Sequence, residues 1–383
     1  MQAGFWALTL TWGGAIPIFD HEGDSGSCLG GWIMNRRDFI KSSAVLTGAV
    51  IMAPLGCAQA HVSMTGKTMT GKIMTATGAI DPEQMGFVLT HEHILVDFIG
   101  ADQVSKGRYD EDEAFKVILP YLEQAKDLGC QTFVECTPSY IGKDAALVKR
   151  LSEATGIYML TNTGYYGAAD DKYVPAHAYE ETEDALSDRW VQEWEEGIDG
   201  TGVRPGFIKI GVDKESLSAI DEKLVRAAAR THLKTGLTIM SHTGFAIPAH
   251  EEIAVLKEEG VDASAWIWTH AQNEKDNEQH KKAAEAGAWV AFDGVNANEK
   301  RLARDLVHLK AMKAYGLLDH VLLSHDAGWY RPGEPDGGKF RAFVDLFETV
   351  LPALKGNGFT QDEIDLMTLE NPKRAFAIGV REI

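Results

Sequence analysis

The sequence predicts an α/β protein folded as one (β/α)8 barrel of the TIM type. Three observations carry that expectation: eight short apolar runs alternate with longer amphipathic segments, glycines mark many of the junctions, and the length suits one barrel with insertions. The strand candidates are Gly86 to Glu92, Thr132 to Glu135, Ile157 to Thr161, Gly206 to Gly211, Leu237 to Ser241, Ala265 to Thr269, Ala288 to Phe292 and His320 to Ser324. Helical candidates are Asp110 to Leu128, Lys143 to Glu153, Thr182 to Glu196, Asp221 to Thr235, Ala249 to Glu259, Asn277 to Ala286, Glu299 to Tyr315 and Lys339 to Lys355. Gly129, Gly156, Gly236, Gly260 and Gly287 each follow a helical segment and precede a strand, where a left-handed helix stop belongs. Thr360 to Ile383 is expected to add short helices, and no linker or repeat marks a second domain.

Composition bounds the function. The chain has 383 residues, 45% of them hydrophobic, enough for a large core, and a charged fraction of 24% that is ordinary for a globular domain. Its 37 Lys and Arg face 56 Asp and Glu, a formal charge of -19, so its field repels phosphate backbones and no nucleic-acid partner is expected. Residues 1–60 hold only 3 basic and 4 acidic side chains, so the acidity belongs to the body.

Those first sixty residues read as a leader. Asn35-Arg36-Arg37-Asp38-Phe39-Ile40-Lys41, the small and apolar stretch Ser42 to Leu55, and Ala58-Gln59-Ala60 together resemble a twin-arginine export signal. Met34 directly precedes it and is the expected start, with Met1 as the alternative. The boundaries are then an upstream extension over 1–33, the signal over 34–60, a tether over 61–75 and the barrel over 76–383. The export machinery is the implied partner and the periplasm the implied location. Cleavage after Ala60 is the first expectation and lipidation at Cys57 the second. Ser42 to Leu55 is too short for a stable membrane span. Cys130 and Cys136 lie roughly 20 Å apart if the chain between them is extended, which excludes a disulfide.

The most informative local feature is Leu89-Thr90-His91-Glu92-His93. Residues i and i+2 of a strand project to one face, so the two imidazoles can converge on one ion while Glu92 points away. Two strand-end histidines can also merely hydrogen-bond. Further candidates end separate apolar runs: Lys209 in Phe207-Ile208-Lys209-Ile210, His242 after Ser241, His270 after Thr269, and Asp326 after His325. In a parallel barrel the strand C-termini meet on one face. Taken singly, Lys209 could pair with Asp213, and His242 and His270 could be core histidines. His325, adjacent to Asp326, should face the other way and take a structural role. His177, His250, His280, His308 and His320 have no matching spacing.

His, His, Lys, His, His and Asp in this order, from about Lys72 onward, resembles the ligand pattern of the phosphotriesterase family of amidohydrolases; Glu370-Asn371-Pro372 is similar to its C-terminal segment. The resemblance implies two divalent ions. His91, His93 and Asp326 would hold the more buried one, and His242 and His270 the more exposed one. Lys209 would bridge both as a carbamate formed with carbon dioxide, since a free ammonium has no lone pair to offer. A solvent hydroxide between the ions would attack, with Asp326 as the catalytic proton acceptor. Zinc is the first choice, and manganese, iron and cobalt fit the same donors. The resemblance also implies a homodimer.

Departures from the family bear on substrate. His270 is followed by Ala271-Gln272-Asn273, and Ala291 to Val295 holds no histidine, so the proton relay of the strongest phosphotriesterases is missing unless Glu274 or Asp293 replaces it. Gly164-Tyr165-Tyr166 resembles the tyrosine loop of phosphotriesterase-like lactonases, although both tyrosines could simply pack. Trp329 and Arg331 follow Asp326 in the last βα loop, as pocket residues or as a packed rim. The expected activity is a metal-dependent hydrolase of a small carboxylic ester or lactone. A phosphotriesterase is the rival within the class, and a non-catalytic periplasmic metal- or solute-binding protein the rival outside it.

Overall fold

The computed structural model describes residues 69–383; the extension over 1–33, the twin-arginine segment with Cys57, and the tether up to residue 68 lie outside them. The described chain forms the expected barrel. A hairpin of β1 (Ile73–Thr75) and β2 (Gly78–Ile80) comes first. Then follow β3 (Phe87–Leu95), α1 (Glu111–Asp127), β4 (Cys130–Glu135), α2 (Ala145–Thr155), β5 (Tyr158–Leu160), β6 (Asn162–Thr163), α3 (Glu183–Glu196), β7 (Phe207–Gly211) and α4 (Ala219–Thr235). The second half runs β8 (Ile239–His242), α5 (Ala246–Glu258), β9 (Trp266–Thr269), α6 (Asn277–Glu285), β10 (Trp289–Phe292), α7 (Glu299–Tyr315), β11 (Val321–Leu323) and β12 (Gly328–Tyr330). Strands β6 to β11 pair in parallel in sequence order, as do β3, β4 and β5.

The two sheets meet at two seams. Thr161 separates β5 from β6, so one strand path leaves β4 and joins β7. At the other seam β11 pairs with β10 while β12 pairs with β3, and the turn between β11 and β12 crosses from one sheet to the other. That turn carries Asp326. Thr90 Oγ1 donates to the Leu323 carbonyl at 3.1 Å and the His91 amide to Ser324 Oγ at 2.9 Å, which closes the ring.

Helix starts follow capping chemistry. Asp110, Asp144, Thr182, Ser218, Asp276 and Asn298 each accept backbone N–H groups of the first turn. Gly156 and Gly236 end α2 and α4 in the left-handed conformation. The barrel interior holds Val88, Val134, Leu160, Met240, Ile267, Ala291 and Leu322, and its outer wall packs against the helices through Leu89, Phe133, Ile208 and Leu323.

Two expectations are corrected. The tether over 61–75 does not extend through its last residues: Ile73, Met74 and Thr75 form β1, Ile73 is fully buried, and with Phe376 it joins the apolar cluster that fills the barrel. The helix expected over Lys339 to Lys355 begins only at Leu346, with a wide turn to Val350 and a helix from Leu351 to Gly356. The first part is a strap instead, because Arg341 and Gly328 exchange both backbone hydrogen bonds. Cys130 and Cys136 are buried free thiols. Among the described residues no helix is long and apolar enough to cross a membrane.

Candidate metal centre

Strand alternation and its local failures gather the site. Phe207 and Met240 face the barrel interior, so Lys209 and His242, two residues on, face the cavity above them. Val88 also faces inward, and three residues later His91 does so too, because the β3 to β4 pairing shifts register between Leu89 and Glu92. His270 turns inward from a left-handed backbone, φ 59°, and Asp326 shares that conformation at φ 53°. Such backbone costs of order 1 kcal/mol or more in a non-glycine residue and persists where surrounding contacts enforce it.

The result is a cavity of about 110 Å³ lined by His91, His93, Lys209, His242, His270 and Asp326, the six residues singled out from sequence. His91, His93 and Asp326 bring ligand atoms within 4.8 Å of one another. Asp326 Oδ1 lies 3.2 Å from His93 Nε2 and 3.9 Å from His91 Nε2. The His242 and His270 rings stand edge to face with centroids 4.4 Å apart.

Outer hydrogen bonds orient the imidazoles. Asp293 is fully buried; Oδ2 lies 2.7 Å from His91 Nδ1 and Oδ1 lies 2.7 Å from His270 Nδ1. Gln272 Nε2 and the His270 amide donate to it as well. With Nδ1–H of both rings given to Asp293, their Nε2 lone pairs are free to ligate. Thr137 Oγ1 donates to the Leu95 carbonyl, so at 2.8 Å it accepts Nδ1–H of His93, which leaves Nε2 of His93 toward Asp326. Burial lowers the pKa of His91 to about 4 and that of His242 well below its ordinary value, so both are neutral near pH 7, the form that ligates. Burial alone would raise Asp293, but His270 and His91 outweigh it and hold the carboxyl ionised.

Lys209 is the anomaly. It is 1% exposed, its Nζ has no hydrogen-bond partner, and burial lowers its pKa. Asp213 is not its partner, since it accepts the amides of Ala169 and Asp170. A buried amine without a partner, ringed by four imidazoles and a carboxylate, fits a site that takes up further charged groups.

The pocket residues divide. Tyr166 and Trp329 line the cavity, and Tyr166 lies 5.0 Å from the His242 ring. Tyr165 faces a neighbouring cavity with Lys143 and Glu193, and its hydroxyl meets His177 Nε2 at 3.0 Å. Arg331 lies over the Trp329 ring at 5.8 Å and pairs with Glu334, away from the cavity. Glu274 caps a turn through the amides of Lys275 and Asp276. Sequence reasoning did not find the lining residues Val96, Phe98, Cys136, Pro138 and Ile141, nor the clamp role of Asp293. Asp293, two residues past the inward Ala291, was legible by alternation alone.

The chain is similar in sequence and in fold to known proteins. A phosphotriesterase homology protein of Escherichia coli is 32% identical over 76% of this chain and 98% of its own length. An aryldialkylphosphatase of Saccharolobus solfataricus is 29% identical over 78% of this chain and 97% of its own. A mutant PTE-like lactonase of Deinococcus radiodurans has a solved structure that superposes with a TM-score of 0.71 at 27% identity, over 79% of this chain and 99% of that one. Residues 71–376 match the phosphotriesterase family as a whole, and the chain belongs to that family of metal-dependent hydrolases.

Proposed function

We propose that the chain is a binuclear hydrolase that cleaves a carboxylic ester or lactone. The observation that carries this reading is the partnerless, buried Lys209 Nζ among His91, His93, His242, His270 and Asp326. An unprotonated Lys209 amine can add to carbon dioxide and release one proton, which turns a group that repels cations into a two-oxygen anion. The donor set then counts four imidazoles and two anions, which suits two divalent ions, zinc first and manganese, iron or cobalt equally by chemistry. Such a pair supplies an acidified water and a polarised acyl oxygen.

The chain's own residues do the rest. Asp293 and Thr137 fix the tautomers of His91, His270 and His93. Asp326, held ionised by the His93 hydrogen bond and the neighbouring imidazoles against the effect of burial, takes the proton of the attacking water on its carboxylate and returns it to the leaving alcohol. Tyr166, Trp329, Val96 and Ile141 wall the cavity with apolar surface fit for an acyl chain.

A carbonyl substrate is favoured over a phosphotriester because neither carboxylate available for a relay is free: Asp293 clamps two histidines and Glu274 caps a turn. The relative named an aryldialkylphosphatase supports the second reading, a phosphotriesterase. The deciding experiment is turnover by zinc-loaded protein of a panel of lactones, aryl esters and an aryl dialkyl phosphate. A higher kcat/KM for a lactone or ester is expected. The reverse ranking overturns the substrate assignment. No turnover of any panel member, with solute binding intact in Asp326→Asn, points to a binding protein.

A further inference from the structure

Glu92 sits between two candidate ligands yet faces away from them, fully buried in the seam between β3 and β11. Its Oε1 accepts from Ser324 Oγ at 2.7 Å, from the His325 amide at 2.9 Å and from His325 Nδ1 at 2.6 Å, and its Oε2 accepts from the Ala327 amide at 2.8 Å. Two of those donors are the backbone amides on either side of Asp326. The Asp326 amide itself donates to the His91 carbonyl at 3.0 Å, its carbonyl accepts from Arg341 Nη1 at 2.7 Å, and the His93 amide donates to the Ala327 carbonyl at 3.0 Å. The turn that holds Asp326 at φ 53° is thus pinned to the strand that supplies His91 and His93.

Chemistry explains why this residue is a glutamate. A carboxylate is acceptor-only with about four lone-pair sites, and four donors converge on it here. His325 Nε2 accepts from the Leu346 amide at 2.8 Å, so its proton sits on Nδ1 and points at Glu92. An amide in place of the carboxylate would set an N–H against one of these donors. Gly328, φ 95°, completes the seam: a Cβ there would stand 1.7 Å from the His93 carbonyl oxygen, so only glycine lets the two segments lie this close.

We propose that Glu92 is a positioning residue, which acts through the turn 324–327 to aim the Asp326 carboxylate at the cavity; this rests on the reading of Asp326 as a metal ligand. Glu92 touches neither substrate nor ion. Its loss frees the strained turn to relax, and Asp326 leaves the place where His93 Nε2 and His91 Nε2 meet it.

The test is a double-mutant cycle on zinc retention, read by competition with a chromogenic chelator in full-length protein, with the metal-free melting temperature measured beside it. Glu92→Gln is expected to weaken zinc binding by about 10- to 100-fold. Asp326→Asn is expected to weaken it at least as much, and the double variant no further than Asp326→Asn alone. Zinc retention by Glu92→Gln equal to wild type overturns the proposal, as does simple additivity in the double variant, which is what a merely structural glutamate would give. Unchanged retention in Asp326→Asn alone overturns instead the reading of the site. Should Glu92→Gln fail to fold, Ser324→Ala removes one of the four donors; a smaller loss that vanishes in the Asp326→Asn background is expected, and an undiminished loss there counts against the clamp.

Discussion

At the N-terminal mouth of the barrel, Ile73, Met85, Phe207 and Phe376 meet in a plug from which water is excluded, and Thr132 and Thr238 hydroxyls there give their hydrogen bonds to the Met85 and Ala375 carbonyls. The same strands end at the opposite mouth in four histidines, an aspartate at φ 53° and a lysine whose amine has no partner. One end is arranged to bury apolar surface and satisfy polar groups. The other keeps polar groups unsatisfied and backbone strained, a cost that a fold selected for stability alone would shed. Substitutions at the two ends should therefore separate stability from activity, in opposite directions.

The largest effect is expected at Lys209. Lys209→Met removes the buried partnerless amine and fills its space with an isosteric apolar chain. Activity and retention of a second zinc ion should be lost, with kcat/KM down by roughly 1,000-fold or more for want of a bridging anion. Stability of the metal-free protein should rise by about 1–3 kcal/mol, the cost of the unmade hydrogen bond. Metal analysis, a kinetic assay and chemical denaturation with chelator present check all three. A variant that loses stability and keeps activity would erase the contrast between the two ends.

Ile73→Ala should do the reverse. Truncating a fully buried isoleucine leaves a cavity in the plug and costs about 2–5 kcal/mol, seen as a lower denaturation midpoint, while kcat/KM at 25 °C stays within about twofold. A matching fall in kcat/KM would mean that the plug and the cavity are coupled through Phe207 and Lys209.

How far the sequence reveals this design depends on whether alternation holds locally. Lys209 and His242 were legible because each sits two residues beyond an inward apolar side chain, Phe207 or Met240, on a regular strand. His91 needs a bulge, and His270 and Asp326 need left-handed backbone, none of which a period of two foretells. His91 was found through its i, i+2 spacing from His93, and His270 and Asp326 through the order of residue types at the ends of apolar runs. Tyr165 and Tyr166 show the same limit, since neighbours on one loop enter different cavities. With only three residues, β1 is too short to carry a period, so Ile73 to Thr75 read as the end of a tether. The roles of Asp293 and Glu92, though not their orientation, stayed hidden for another reason: both act through partners distant in sequence that only the fold brings together.

The smallest effect expected is one of pH, and it extends the contrast to a carboxyl behind the site. Glu252 on α5 is fully buried, with Oε1 at 2.6 Å from Thr243 Oγ1 and Oε2 accepting from Trp266 Nε1, and burial pushes its pKa up to about 7 despite those hydrogen bonds. A carboxyl whose pKa is higher folded than unfolded favours the folded state fully below its unfolded value, near 4.5, and loses that contribution as pH rises through about 7. The span corresponds to roughly 3 kcal/mol as an upper bound. Glu252→Gln keeps an acceptor for Trp266 and presents its amide to the Thr243 hydroxyl, so it should hold the neutral arrangement at every pH. Relative to wild type, the metal-free variant should gain stability between pH 5 and pH 8, with most of the gain complete by pH 7. Denaturation midpoints of both proteins across that range test it: a constant difference between them would mean that Glu252 is ionised throughout, and that burial behind His242 is less severe than the packing of α5 against β8 and β9 implies.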